Sequence, residues 1–226
     1  MPTYFVLFLA AAQLLSANSL EAARDAQDRA ALEKLVADAG ANASRQSTSA
    51  EAQYQLALSQ SYLAEVALEV RDKGAASRAA QAGIAAAEKA VALKGSVAEH
   101  HRILGTLCGQ IIPANTLMGL RYGRCALDSI NKAIELDPRS SLAYMSRGVG
   151  NYYLPEQLGG GVTKAVTDFR KAIELNPKLS EPHLWMGLAL RKQSLNADAR
   201  KEFQKAVELN PGRVWAKQQL EKTPEK

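Results

Sequence analysis

The sequence predicts an all-α protein, a solenoid of stacked helix pairs closed at its ends by capping helices. Three observations carry this. A run recurs as KAIELDP at Lys132 to Pro138, KAIELNP at Lys171 to Pro177 and KAVELNP at Lys205 to Pro211. Each run completes a stretch of helical period, as with Ala199, Phe203, Ala206 and Leu209 in the last one. A glycine precedes each stretch (Gly105, Gly148, Gly187), and two helices can cross closely only where no side chain holds their backbones apart. Units of this kind bury their apolar faces against one another along a line.

The clearest unit runs from Ser180 to Asn210. Its first half sets Leu184, Gly187, Leu188 and Leu190 on one apolar band, with Gly187 and Ala199 expected to meet at the crossing, and Asn210 and Pro211 end the second helix. The set Gly187, Ala199, Phe203, Ala206 and Pro211 resembles the tetratricopeptide repeat (TPR) pattern. It recurs as Gly148, Ala165, Phe169, Ala172 and Pro177, and as Gly105, Ala126, Ile130, Ala133 and Pro138. A divergent copy keeps Gly83 and Ala90 and ends in KAVALKG, with Gly95 where proline is usual.

The elements follow in order. Met1 to Ser19 carries no charged side chain and an apolar run from Tyr4 to Leu15, with small residues at Ala17 and Ser19; it reads as a secretory signal peptide, too short for a membrane span. Residues 20–49 form an N-terminal capping region: a helix from Leu20 to Ala39 stopped by Gly40, then a polar turn. Residues 50–96 form the divergent TPR-like repeat, with helices over Ala52 to Val70 and Ala75 to Val91. Residues 97–139 and 140–179 are TPR repeats with extended turns, 180–212 is a regular repeat, and 213–226 is a C-terminal cap and tail anchored by Trp215.

The extended turns are measured by one spacing. Gly187 precedes Ala199 by 12 positions, whereas Gly148 precedes Ala165 by 17 and Gly105 precedes Ala126 by 21. Both insertions fall between the two helices of a unit. They hold apolar residues such as Ile112, Leu117, Tyr152, Tyr153 and Leu158, which suits packing or the rim of a site. Gly159 to Gly161 lack the Lys and Ser/Thr of a nucleotide loop and read as a flexible lead into a helix near Thr163.

The resemblance implies function. TPR proteins commonly bind partners on the concave face formed by the first helix of each pair. By position this selects Arg102, Thr106 and Gln110, then Met145, Val149, Tyr152 and Tyr153, then Leu184, Leu188, Arg191 and Lys192. Arg121, Tyr122 and Arg124, with Arg147 and Asn151, are edge candidates for a carboxylate or phosphate, or equally for the protein's own carboxylates. Cys108 and Cys125 are either a disulfide, permitted by an exported location, or two buried thiols.

Other function classes find little support. No G-x-S-x-G, phosphate loop or H-E-x-x-H motif is present, so no enzyme activity is expected. His100 and His101 point apart on a helix, and with His183 they make no metal set; neither metal nor cofactor is expected. The 28 Lys and Arg against 23 Asp and Glu are dispersed, which gives no stripe for nucleic acid.

The chain is similar to bacterial exported TPR proteins with extended intra-repeat turns, some associated with solute uptake. It is expected to be a noncatalytic exported scaffold with a concave peptide- or protein-binding face, periplasmic or secreted after signal cleavage. Membrane association would then come only through an envelope partner or an uncleaved signal. The alternative is a periplasmic accessory protein binding a small organic or hydrophobic solute, enclosed by Tyr152, Tyr153 and the apolar insertions.

Overall fold

The computed structural model describes residues 19–113 and 117–225, and the expected signal peptide lies outside the described residues but for Ser19. Helix α1 covers residues 19–25. The remaining helices are α2 (Arg29–Arg45), α3 (Ala50–Glu69), α4 (Lys73–Leu93), α5 (Ala98–Ile111), α6 (Met118–Leu136), α7 (Ser141–Tyr153), α8 (Val162–Leu175), α9 (Ser180–Lys192), α10 (Asn196–Leu209) and α11 (Val214–Glu221). A single 3-10 turn, Glu156–Leu158, sits between α7 and α8.

The helices stack as pairs: α3 with α4, α5 with α6, α7 with α8, α9 with α10. The second helix of each pair packs on the first helix of the next. The first helices also touch in succession, α3 to α5 to α7 to α9, and so line one continuous inner face. The arrangement is an all-α TPR-type helical solenoid.

Side-chain volume explains the repeated glycine. A Cβ on Gly148 would lie 2.5 Å from the Phe169 ring, and one on Gly187 would lie 2.6 Å from Phe203. Both rings are fully buried. The residue opposite Gly187 is thus Phe203 rather than the expected Ala199: the glycine admits a ring, and the small alanines allow the close approach around it. Gly105 does the same for Ile130, the aliphatic residue at the corresponding position.

The N-terminal cap departs from the expected single helix. The chain breaks after α1, where Gln27 takes a left-handed φ of 54° and Asp28 caps α2 by accepting a hydrogen bond from the Ala31 backbone amide. Helix α2 then runs through Gly40 to Arg45, so the glycine does not end it. A helix stop needs a residue leaving helical dihedrals, and nothing at Gly40 demands that. Leu20, Ala23 and Leu32 bury against Val66, Tyr62 and Leu63, which covers the open side of α3.

The two insertions are built differently. The longer one partly extends the second helix, since α6 has 19 residues where α8 and α10 have 14. The shorter one is a fixed turn. Gly159 and Gly161 have φ of 88° and 105°, and a Cβ on Gly160 would lie 2.3 Å from the Leu154 carbonyl oxygen. The Gly161 amide donates to the carbonyls of Asn151 and Leu154. The glycine run is therefore a conformational requirement of this turn, not a flexible lead, and α8 starts directly after it.

Candidate functional site

The inner face begins with polar residues of α3 and α5. Arg102 is buried, donates to Glu99 at 2.8 Å and reaches Ser146 on α7 at 3.5 Å. Tyr54 donates to the same Glu99 carboxylate. Burial works against ionisation of Glu99, but the Arg102 guanidinium outweighs it and holds the carboxyl below its ordinary range. Thr106 donates to Ser146 at 3.2 Å, and Gln110 donates to the Ser61 carbonyl at 3.1 Å. These three expected contact residues therefore tie the first helices of successive pairs together.

Further along the face, the expected residues divide into core and surface. Leu184 and Leu188 are buried in the cluster of Ala199, Phe203 and Ala206, and Val149 packs against Phe169 and Met186. They hold helix pairs together, and Leu184 and Leu188 leave almost no side-chain surface for a partner. Met145 is half-buried. Arg191 lies over the Phe203 ring and donates to Gln219 at 2.6 Å and Thr223 at 3.0 Å, which docks the C-terminal cap.

An aromatic row remains accessible. Tyr152 and Tyr153 meet edge to face with centroids 5.1 Å apart, Trp185 lies 5.8 Å from Tyr152 and 6.0 Å from Tyr153, and Trp215 lies 5.4 Å from Trp185. Tyr153 is 50% exposed. Lys192 stands over the Tyr152 ring, with Nζ 4.5 Å from its centroid, and donates to the Tyr152 carbonyl. The row runs across α7, α9 and α11 and joins flat apolar area to a cation. Trp215, expected as the anchor of the C-terminal cap, is a member of it, and both Trp185 and Trp215 also pack against the core.

The edge candidates divide: Arg147 and Asn151 are engaged within the protein, while Arg121 and Arg124 are exposed. Arg147 and Asn151 converge on buried Asp168, at 2.7 and 2.8 Å. Arg124 pairs with Asp128 one turn on, and Arg121 lies over the neighbouring Tyr122 ring. Cys108 of α5 and Cys125 of α6 form a disulfide, with Cα atoms 6.0 Å apart. His100 and His101 each hydrogen-bond a backbone carbonyl, of Lys94 and Gly95, and His183 pairs with Glu202. Among the described residues no group of three or more His, Cys, Asp or Glu is placed to hold a metal.

Sequence reading missed the most highly charged part of the inner face. Arg213, at the start of α11, has a side chain only 1% exposed. It donates to Glu65 and Glu181 at 2.8 Å each and to both oxygens of Glu69. Arg24 pairs with Asp25 and stands 3.7 Å from Glu181. Asn210 donates to Asp25 at 2.7 Å, Gln27 donates to Glu69 at 2.8 Å, and Gln218 donates to Gln27 at 3.1 Å. The two ends of the solenoid thus meet across the inner face. A partial sign was legible: Glu65 and Glu69 stand one helical turn apart among buried Val66 and Ala67. Their partner 144 or more residues away was not.

Comparison with known proteins agrees with this architecture. No family model matches the chain. Over 100 residues it is 36% identical to anaphase-promoting complex subunit 3 of Schizosaccharomyces pombe, a match covering 44% of this chain and 14% of that protein. The crystal structure of TTC0263, a thermophilic TPR protein of Thermus thermophilus, superposes with a TM-score of 0.62 at 17% identity, covering 91% of this chain and 98% of that one. YrrB, described as a TPR protein with an unusual peptide-binding site, is a more remote likeness, with a TM-score of 0.44, 18% identity and coverage of 83% and 82%. With its recurring glycine, alanine, aromatic and proline positions and its stacked helix pairs, the chain has the fold of a tetratricopeptide-repeat helical solenoid.

Proposed function

We propose that the chain is a noncatalytic, exported interaction scaffold that takes a peptide or protein segment along the aromatic row of its inner face. The observation that carries this reading is the row itself: Tyr152, Tyr153, Trp185 and Trp215 are contributed by the first helices α7 and α9 and the capping helix α11, and flanked by Lys192. Rigid aromatic side chains supply large contact area at little entropic cost and dominate the energetics of many interfaces. The row suits a segment bearing apolar side chains and a carboxylate for Lys192. The first part of the inner face does not serve, because Arg102, Thr106 and Gln110 are occupied by neighbours.

Two features support export. The apolar run from Tyr4 to Leu15 has the character of a secretory leader, and the Cys108–Cys125 disulfide belongs to an oxidising compartment. Gel-shift alkylation of the two cysteines in cells, before and after reduction, tests the second point. Thiols that react without reductant contradict it.

The binding reading is tested by affinity purification from the native envelope with the full chain and with Tyr153→Ala, each checked for folding by circular dichroism. The expected result is a partner that quenches Trp185 and Trp215 fluorescence and loses about tenfold or more in affinity in the variant. Equal capture by both forms sinks the aromatic row as the binding face.

A further inference from the structure

The contacts between the two ends of the solenoid have an unusual composition. Six charged groups gather where α1, α3, α9 and the start of α11 meet: the guanidiniums of Arg24 and Arg213, and the carboxylates of Asp25, Glu65, Glu69 and Glu181. Two cations face four acids. Side-chain exposure is 1% for Arg213, 2% for Glu69, 6% for Glu181 and 21% for Glu65. Full ionisation would leave two uncompensated negative charges in a site that water barely reaches, which is costly.

We propose that this cluster is a proton-loaded clasp, which holds the first and last helix pairs of the solenoid together in mildly acidic solution and loosens as the solution becomes alkaline. The proton resides chiefly on Glu65, which keeps one bond to Arg213, at 2.8 Å, through an oxygen that can accept in either protonation state. Burial pushes the Glu65 carboxyl up to about 7, against the opposing pull of Arg24 and Arg213. Burial raises Glu69 as well. At Glu181 burial also works against ionisation, but Arg213 and Arg24 outweigh it and keep that carboxyl below its usual range.

The groups facing the pair from other elements do not titrate in this window. Arg24 at the end of α1, Arg102 on α5 and Arg213 all stay charged, because their carboxylate partners more than offset burial. Tyr62, one turn before Glu65 on α3, is pushed up by burial to about 12, and Tyr153 on α7 is raised as well. The change between pH 5 and 8 therefore belongs to the two glutamates.

The sign follows from linkage. In the open form Glu65 meets water and returns toward 4.5, so closing takes up a proton between that value and about 7. The closed form is favoured while the proton is held, and that advantage is lost as pH rises through about 7. The opening equilibrium should increase at least about tenfold between pH 5.5 and 8.5. The clasp needs no partner, so its behaviour is separable from binding at the aromatic row.

Hydrogen exchange of the full chain tests this, with rates corrected for the intrinsic pH dependence of amide exchange. Segments 19–27 and 210–223 should open at least about tenfold more readily at pH 8.5 than at 5.5, while α7 and α8 serve as an internal reference. Glu65→Gln, which carries an uncharged acceptor at every pH, should remove most of that dependence. Carbon-detected titration of the wild-type glutamate carboxyls gives a reading that needs no variant, and one carboxyl should titrate near 7. The proposal is overturned if end opening in the wild type is independent of pH or greater at pH 5.5. It is equally overturned if a folded Glu65→Gln variant keeps the full dependence, or if every glutamate titrates below 5.

Discussion

Phe203 and Phe169 show how much of this protein is decided one side chain at a time. Each ring is fully buried, and each rests where a glycine on the partner helix leaves room. Truncating Phe203 to alanine removes the ring that fills the crossing of α9 and α10 and should cost about 3–5 kcal/mol in urea unfolding. The reverse error is also costly. Gly148→Val puts carbon 2.5 Å from the Phe169 ring, a contact neither helix can absorb without moving. A lower urea midpoint is expected, with partial recovery when Phe169→Leu is added. Both glycines and both rings were legible as a repeating pattern. Their mutual contact was not, because period alone does not say which residue of one helix faces which residue of another.

Among the elements, the α5–α6 pair stands apart. Its connection is the longest insertion, its second helix is extended, and its glycine faces Ile130 where the later pairs have a ring. The disulfide from Cys108 to Cys125 spans 17 residues and closes that connection. A loop of this size restricts the unfolded chain enough to contribute about 3 kcal/mol. The Cys108→Ser/Cys125→Ser variant should therefore melt lower than the oxidised wild type, and reductant should lower the wild type but leave the variant unchanged. The spacing of the two cysteines allowed this bond without requiring it. Their Cα separation of 6.0 Å is a product of how tightly the two helices cross.

On the scale of the whole molecule, Arg213 links helices that no repeat pattern would join. Removing it by Arg213→Ala strands Glu65, Glu69 and Glu181 without their guanidinium, and should cost about 3–5 kcal/mol. Thermal melts would show this most clearly on the alkaline side, where the carboxylates are most ionised. The network's own pH dependence has two limbs of opposite sign. Glu181 lies below its usual range when folded, so its contribution is present above its unfolded value near 4.5 and lost as pH falls through the folded one. Glu65 lies above its usual range, so its contribution declines as pH rises from 4.5 through about 7. Melting temperature should be highest near pH 5 and fall on both sides, and Glu65→Gln should flatten only the alkaline side.

The sequence by itself determined the fold. Helical period, recurring small residues and a proline after each unit are local features, and a solenoid is assembled from local features because each pair packs mainly on its neighbours. The tertiary structure decided the site. Expected contact residues such as Arg102 and Leu184 became internal ties or core, since a concave face brings first helices near enough to satisfy one another. Glu65, Glu69 and Arg213 became a closure between the two ends, because the curvature that accumulates over four pairs brings together residues 144 to 148 positions apart. No local rule encodes that sum, whereas every local rule contributes to it.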